Sequence, residues 1–235
     1  MSPSLPAKLR DPSAVRVALL RRALAAALRH QADPGGLRLQ RLGSDYGGWT
    51  VPVDLLGDDW TAWSLGTGHD ASFDVELLQR CSAGRVRAFD PFQRNLDDAV
   101  ALAGGNARYS AMRVAIAGAD GPLVLHGDPD PQTGSVGPRV PGREQATFTV
   151  EGRSVASLRR ELGDPAIELL KMDIEGAEYE VLAGLDLRDA GVRVLCCELH
   201  FNVPLSRALS AVSHVRRQGF RLVAADDTDV TFVRE

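Results

Sequence analysis

The clearest signal along the chain is an alternation of short apolar runs with segments whose apolar residues recur every three to four positions. Residues 14–31 carry the strongest helical pattern, with Ser13 as expected N-cap and Pro34-Gly35-Gly36 closing the segment. A polar, glycine-bearing connector follows. Then come a strand at Trp60–Leu65, a helix at Ser72–Cys81 with Phe73, Leu77 and Cys81 on one face, and a strand at Arg85–Phe89. Residues 93–103 read as a helix and Met112–Ala117 as a third strand. Ser154 should cap a helix that runs to Leu162 with Val155, Leu158 and Leu162 inward, and Gly163-Asp164-Pro165 should stop it. Ile167–Ile174 is a buried strand, a helix lies near 177–184, and Val192–Leu199 is another apolar strand. A helix at Leu205–Gln218 and a hairpin of Phe220–Ala224 with Val230–Val233 end the pattern. Repeated β-α-β units imply a mainly parallel sheet covered on both faces, with an antiparallel edge. Residues 118–146 break the rhythm: eleven Gly or Pro surround a single strand-like Leu123-Val124-Leu125. That composition prohibits a long helix and points to a mobile loop, either plain surface or a substrate lid.

Composition narrows the classes. With 235 residues, 44% apolar and 25% charged, the chain is globular and long enough for a sizeable core. The expected division is an N-terminal helical extension or cap over residues 1–50 and one α/β domain over 51–235. No stretch approaches the roughly 20 uncharged apolar residues of a membrane span. A formal charge of −4 argues against a general nucleic-acid binder. Six basic residues through Arg29, opposed only by Asp11, would suit a transit peptide. The reading adopted is instead a mature helix that covers part of the active site or makes a subunit contact, compatible with a homodimer. Cys81, Cys196 and Cys197 offer no disulfide framework and no zinc spacing, which suits a reducing, cytoplasmic setting. Cys196 and Cys197 should face opposite sides of their strand. The only lysines, Lys8 and Lys171, do not sit in a P-loop.

Candidate chemistry gathers at the carboxyl ends of the predicted strands, where open parallel sheets bind ligands. Trp63-Ser64-Leu65-Gly66-Thr67-Gly68-His69-Asp70 joins the first strand to its helix, and its glycines permit a tight turn and a close approach to ligand. Gly66 to Ala71 also satisfies Gly-x-Gly-x-x-Ala, so a dinucleotide site competes here. Asp90 ends the next strand, 24 positions after Gly66. A carboxylate there can accept both hydroxyl hydrogens of an adenosine ribose, each bond contributing roughly 1.5–3 kcal/mol. Phe92 could pack on the adenine or in the core.

Leu169-Leu170-Lys171-Met172-Asp173-Ile174-Glu175-Gly176-Ala177-Glu178-Tyr179 is more telling. Asp173 and Glu175 stand two apart at a strand end and can point into one crevice. Gly176 allows a sharp exit into the next helix, and Glu178 suits that helix's first turn. Lys-Met-Asp-Ile-Glu-Gly-Ala-Glu-Tyr resembles the signature of the FkbM-type S-adenosylmethionine-dependent methyltransferases, and Ser-Leu-Gly-Thr-Gly-His-Asp-Ala-Ser-Phe-Asp and Phe-Asp-Pro resemble upstream elements of a related branch. The resemblance spans about residues 60–201. It implies the class I methyltransferase fold, Rossmann-like, with a mainly parallel seven-stranded sheet, an antiparallel terminal hairpin and helices on both faces. It also implies cofactor contacts at Gly66, Thr67, Gly68 and Asp90, with Ser64, Asp70, Pro91, Phe92 and Asp173 completing the expected set. Family members mostly methylate hydroxyl groups, often on sugars or secondary metabolites, and release S-adenosyl-L-homocysteine. The chain departs from the more usual Gly-x-Gly-x-Gly, since His69-Asp70 follow Gly68 directly.

Cys197-Glu198-Leu199-His200-Phe201-Asn202 ends the strand after the one carrying Asp173. Strand alternation puts Glu198 and His200 on one face and Leu199 on the other. His is suited to accept a substrate proton near neutral pH, so His200 is the expected base, with His69 second. Asp173, Glu175 and Glu198 complete the candidate catalytic set. Together with His200 they could hold a hard divalent ion, although metal-free chemistry is favoured. The expected activity is O-methylation of a small natural product or sugar by S-adenosylmethionine. The alternatives are a nicotinamide-dependent oxidoreductase and a non-catalytic interaction module.

Overall fold

The structure is a computed structural model describing residues 12–80, 82–127, 134–136, 145–200 and 203–235. Cys81, most of 128–144, and Phe201-Asn202 of the last motif lie outside the described residues.

Helix α1 (Pro12–Gln31) starts at Pro12, where a first-turn proline loses no helical bond, so Ser13 lies inside the helix and is not its cap. A small antiparallel pair follows, β1 (Gln40–Leu42) and β2 (Trp49–Val51), which the sequence reading treated as connector. Strand β2 runs across residue 50. Then come β3 (Thr61–Leu65), α2 (Ser72–Arg80), β4 (Arg85–Asp90), α3 (Gln93–Leu102) and β5 (Tyr109–Arg113). Strand β6 (Ala115–Ile116), β7 (Gly121–Gly127), β8 (Gly134–Ser135) and β9 (Ala146–Arg153) lead to α4 (Val155–Leu162). The chain finishes with β10 (Leu169–Met172), α5 (Glu178–Gly184), β11 (Val194–Glu198), α6 (Leu205–Arg217), β12 (Phe220–Asp226) and β13 (Asp229–Arg234).

Seven strands form the central sheet in the order β12-β13-β11-β10-β3-β4-β5. Strands β3, β4, β5, β10 and β11 are parallel, and the terminal hairpin pairs antiparallel through β13. Every residue of β3 and β10 is buried, as expected of central strands covered on both faces. One face packs Trp63, Leu170, Leu195 and Cys197 under α1, α4, α5 and α6, with Leu24 and Leu28 of α1 fully part of that core. The other packs Ala62, Leu169, Val194 and Cys196 under α2 and the β1-β2 pair. Cys196 and Cys197 do face opposite sides, and both are free thiols. Helix α4 ends as its residues dictate: the Ser154 side chain accepts from the Ser157 N–H, and Gly163 takes a left-handed φ of 67°.

Two expectations need correcting. The strand read at Met112–Ala117 is two strands. Strand β5 leaves the central sheet at Arg113, and β6 joins a second, four-stranded sheet of order β6-β9-β7-β8. Within 118–146, β7, β8 and the first residue of β9 belong to that second sheet, built around the long β7-β9 pairing. The strand-like Leu123-Val124-Leu125 lies inside β7, whose start at Gly121 and Pro122 hides its length, and β9 alternates half-buried with exposed positions and so shows no apolar run. No helix among the described residues is long and apolar enough to cross a membrane.

Candidate active site

Parallel strands expose their carboxyl ends along one edge, and the turns after β3, β4, β10 and β11 open there into a cavity of about 460 Å³. That volume lies within the few hundred to about 1,000 Å³ typical of small-molecule sites.

At one end is the glycine turn. Gly66 leaves β3 with φ 74°, and its N–H donates to the Phe89 carbonyl at 2.8 Å. A Cβ at Gly66 would stand 1.7 Å from the Asp173 carbonyl oxygen, so only glycine lets the ends of β3 and β10 meet. Gly68 also has positive φ (61°), but a Cβ there would meet nothing within 4 Å. Its N–H donates instead to Asp90 Oδ2 at 3.0 Å. The other Asp90 oxygen accepts from the Phe92 N–H at 2.8 Å and from Asn95 Nδ2 at 3.0 Å. Burial raises the pKa of Asp90 although these donors act to lower it. Pro91, Phe92, Ala115, Ile116, Leu123 and Leu125 wall this end with apolar surface. An apolar slot, a buried carboxylate and a glycine turn together fit a nucleoside.

Three residues behave differently from expectation. Ser64 is 2% exposed and does not line the cavity; it hydrogen-bonds the buried Asp74, whose pKa burial pushes up to about 6. Asp70 borders the cavity, yet its carboxylate accepts from the Ser72 N–H at the start of α2 and from the Ser44 hydroxyl of the β1-β2 turn. Its work is to tie those elements together. Lys171, the first residue of the family-like signature, is buried under the site. Its Nζ donates to the Gly66 carbonyl and lies 3.8 Å from Asp173.

At the other end four carboxylates surround one imidazole. Glu178 is wholly buried and folds back to accept the N–H groups of Ile174 (2.7 Å) and Gly176 (2.9 Å), closing the turn after β10. That closure holds Glu175 at φ 56° and Gly176 at φ 105°. Glu178 also lies 3.0 Å from His200 Nδ1, and the Tyr179 hydroxyl donates to the His200 carbonyl at 2.6 Å. His200 Nε2 then faces Glu175 at 3.4 Å, Glu198 at 3.7 Å and Asp173 at 3.8 Å. Glu198 and His200 both line the cavity while Leu199 is buried, as alternation requires. Burial alone would lower the pKa of His200, but the close approach of the Glu178 carboxylate, with the charges of Glu198 and Glu175, pushes it up to about 10. That direction favours the protonated ring, so a role for His200 as base would need its acidic neighbours to be neutralised. Glu198 is raised as well: burial, with Asp173 and Asp229 nearby, lifts it to about 8 while His200 restrains the rise. Asp229, the cross-strand neighbour of Glu198, is pushed by burial up to about 6.

The sequence reading missed Asp229, which register with Glu198 in the terminal hairpin would have located. It also missed Tyr46, whose ring stands at the cavity mouth 5.0 Å from that of His69. Asp173, Glu178 and His200 bring ligand atoms within 4.8 Å of one another. Glu178 is already engaged by two backbone N–H groups and His200, so a cation there would have to displace those bonds. Across the cavity, the Ser135 hydroxyl (2.9 Å) and Val136 N–H (3.2 Å) both donate to the Glu175 carbonyl, joining the β8 segment to the acidic turn.

The chain is similar to the precorrin-6y C5,15-methyltransferase of Geobacter metallireducens, at 14% identity over 77% of this chain and 86% of that one, with a TM-score of 0.44. It is similar to the fibrillarin of Aeropyrum pernix with natively bound S-adenosyl-L-methionine, at 10% identity, 88% and 85% coverage and a TM-score of 0.42. A TehB-like methyltransferase of Corynebacterium glutamicum gives 11% identity, 96% and 100% coverage and a TM-score of 0.40. Such low scores leave the assignment to the family match. No curated protein matches the sequence significantly. Residues 65–222 match the model of the methyltransferase FkbM domain. They contain the glycine turn, Asp90, the acidic turn and His200, and the chain therefore belongs to the FkbM family of S-adenosylmethionine-dependent methyltransferases.

Proposed function

We propose that the protein methylates a hydroxyl oxygen of a small natural product or sugar. The observation that carries this reading is the continuity of the cavity: the glycine turn and Asp90 at one end open directly onto Glu198 and His200 at the other. Bound S-adenosylmethionine supplies a methyl group already activated on a sulfonium. The chain's own residues then have two tasks. They hold the acceptor oxygen in line, for which proximity can contribute roughly 7–11 kcal/mol, and they remove its proton. Glu198 in its ionised form takes the hydroxyl proton as the oxygen gains the methyl group. The imidazolium of His200, 3.7 Å away, stabilises that carboxylate. Glu178 fixes the ring from below through Nδ1. The proton on Glu198 afterwards returns to solvent, and the products are a methyl ether and the neutral thioether. His200 is thus the partner of the base, and Asp173 and Glu175 hold the imidazolium from its other sides. Two buried free thiols suit a reducing compartment, in keeping with a cytoplasmic enzyme.

Calorimetric titration with S-adenosylhomocysteine tests the reading, with NADH and NADPH as controls, in metal-free buffer and again with magnesium. Micromolar binding of the homocysteine nucleoside alone is expected without metal. Binding only with magnesium would move a metal into the acidic end, and silence towards the nucleoside would overturn the proposal.

A further inference from the structure

We propose that Tyr46 and His69 form a platform at the cavity mouth, against which the methyl acceptor lays the face of a ring. The inference deepens the methyl-transfer reading above and rests on it. Tyr46 sits in the turn between β1 and β2, outside the span that matches the family model, and His69 stands where the glycine turn departs from Gly-x-Gly-x-Gly. Their rings are 5.0 Å apart and tilted by 32°, and both line the cavity. Tyr46 is 77% exposed and His69 is exposed as well, so core packing does not explain either ring. The backbone that carries them is nevertheless tied down. The Ser44 hydroxyl oxygen accepts from the Tyr46 N–H (3.1 Å) and the Gly47 N–H (2.9 Å), and the hydroxyl donates to Asp70, the neighbour of His69. The Ser44 N–H donates to Ser72 Oγ at 2.8 Å, and Arg41 donates to the Asp45 carbonyl at 3.1 Å. A Cβ at Gly47 would stand 2.8 Å from the Asp70 carboxylate, so the two turns are in contact. A platform held in advance loses little conformational entropy when a ligand covers it. Burial, with the charges of Asp173, Glu175, Glu198 and Asp70, raises the pKa of the Tyr46 hydroxyl. That hydroxyl therefore lies in the field of the acids at the proton-removing end, and a ring resting on Tyr46 brings its own hydroxyl towards Glu198. An aromatic ring and the C–H face of a sugar ring share this chemistry.

Ligand-observed saturation-transfer NMR on the intact protein tests the platform, with S-adenosylhomocysteine present. The probes are phenol, methyl β-D-glucopyranoside and, as a hydroxyl compound without a ring, glycerol. At least one ring probe should bind, with saturation strongest on its ring protons, while glycerol does not. Phenol alone would mark a planar aromatic acceptor, and the glucoside alone a sugar. Tyr46→Ala should weaken the ring probe about 2- to 12-fold, and Tyr46→Phe, which keeps the ring, should restore it. Both variants alter an exposed side chain, and their calorimetric affinity for S-adenosylhomocysteine should match that of the unaltered protein. An equal loss in Tyr46→Phe would assign the effect to the hydroxyl and overturn the stacking. Ring probes that bind no better than glycerol, or bind Tyr46→Ala as well as the unaltered chain, would overturn the platform while the cofactor reading stands. Silence towards S-adenosylhomocysteine itself would instead overturn the methyl-transfer reading beneath it.

Discussion

The two ends of the cavity are built on opposite principles. Around Asp90, one carboxylate is met by three donors from the chain itself. Around His200, four carboxylates share one ring, and both Glu198 and Asp229 are pushed well above the ordinary carboxylate range. Folding alone settles the first arrangement. The second depends on where a proton resides, so it responds to pH and to whatever enters. An enzyme that must hold a cofactor firmly and yet take a proton from a changing partner needs both.

The sharpest way to break this contrast is at the weld between the ends. Gly66→Ala would drive a methyl group into the Asp173 carbonyl at a backbone angle that side chains avoid. We expect a loss above about 4 kcal/mol, or no soluble protein, by thermal or urea unfolding. Gly68→Ala, with open space before it, should cost only about 1–2 kcal/mol. Equal melting temperatures for the two variants would show that the ends are not joined through Gly66.

Next comes catalysis at the proton-bearing end. Glu198→Gln should lower turnover by about 10²–10⁴-fold and leave calorimetric affinity for S-adenosylhomocysteine unchanged. In the unaltered enzyme, turnover should rise with pH through about 8, as Glu198 ionises. His200→Gln removes the charge that holds Glu198 down, so the rising limb should move to higher pH. A limb that stays in place would deny the pairing.

The smallest effect is on stability. His200 is raised to about 10 in the folded chain, so its contribution is complete below about 6.5 and lost as pH climbs through 10. Glu198, raised to about 8, holds a proton that the unfolded chain has released by then, and acts in the same direction. The melting temperature should therefore fall from pH 6 to pH 9, and fall less steeply in Glu198→Gln. A rise over that range would contradict the arrangement of charges.

Most of the central sheet was legible because its strands gather apolar residues and its covering helices repeat theirs on one face; β5, Tyr-Ser-Ala-Met-Arg with no fully buried position, was not. Ser154 and Gly163 marked their helix ends by residue chemistry alone. The second sheet was not legible. Strand β9 buries only alternate positions, and Gly121 and Pro122 imitate a turn while starting β7. Strands β1 and β2 are three residues each, too short for any period to show. Within the site, the strand-end positions of Asp90, Asp173, Glu198 and His200 could be read from spacing. Their partners could not. Glu178 looked like a first-turn acid, and nothing local reveals that it returns to two N–H groups behind it and reaches a histidine from another strand. Ser64 stands off the cavity lining because alternation along β3 turns it into the core towards Asp74.

The two donors that meet on the Glu175 carbonyl carry a consequence for the sequence of events in turnover. Strand β7 forms part of the nucleoside wall, its neighbour β8 carries Ser135, and Ser135 and Val136 grip the backbone of an acid that faces the acceptor. One carbonyl oxygen therefore joins that wall to the acidic turn at the far end of the cavity. Under the proposed function, that linkage predicts a compulsory order with the methyl donor binding first, which product-inhibition kinetics would check.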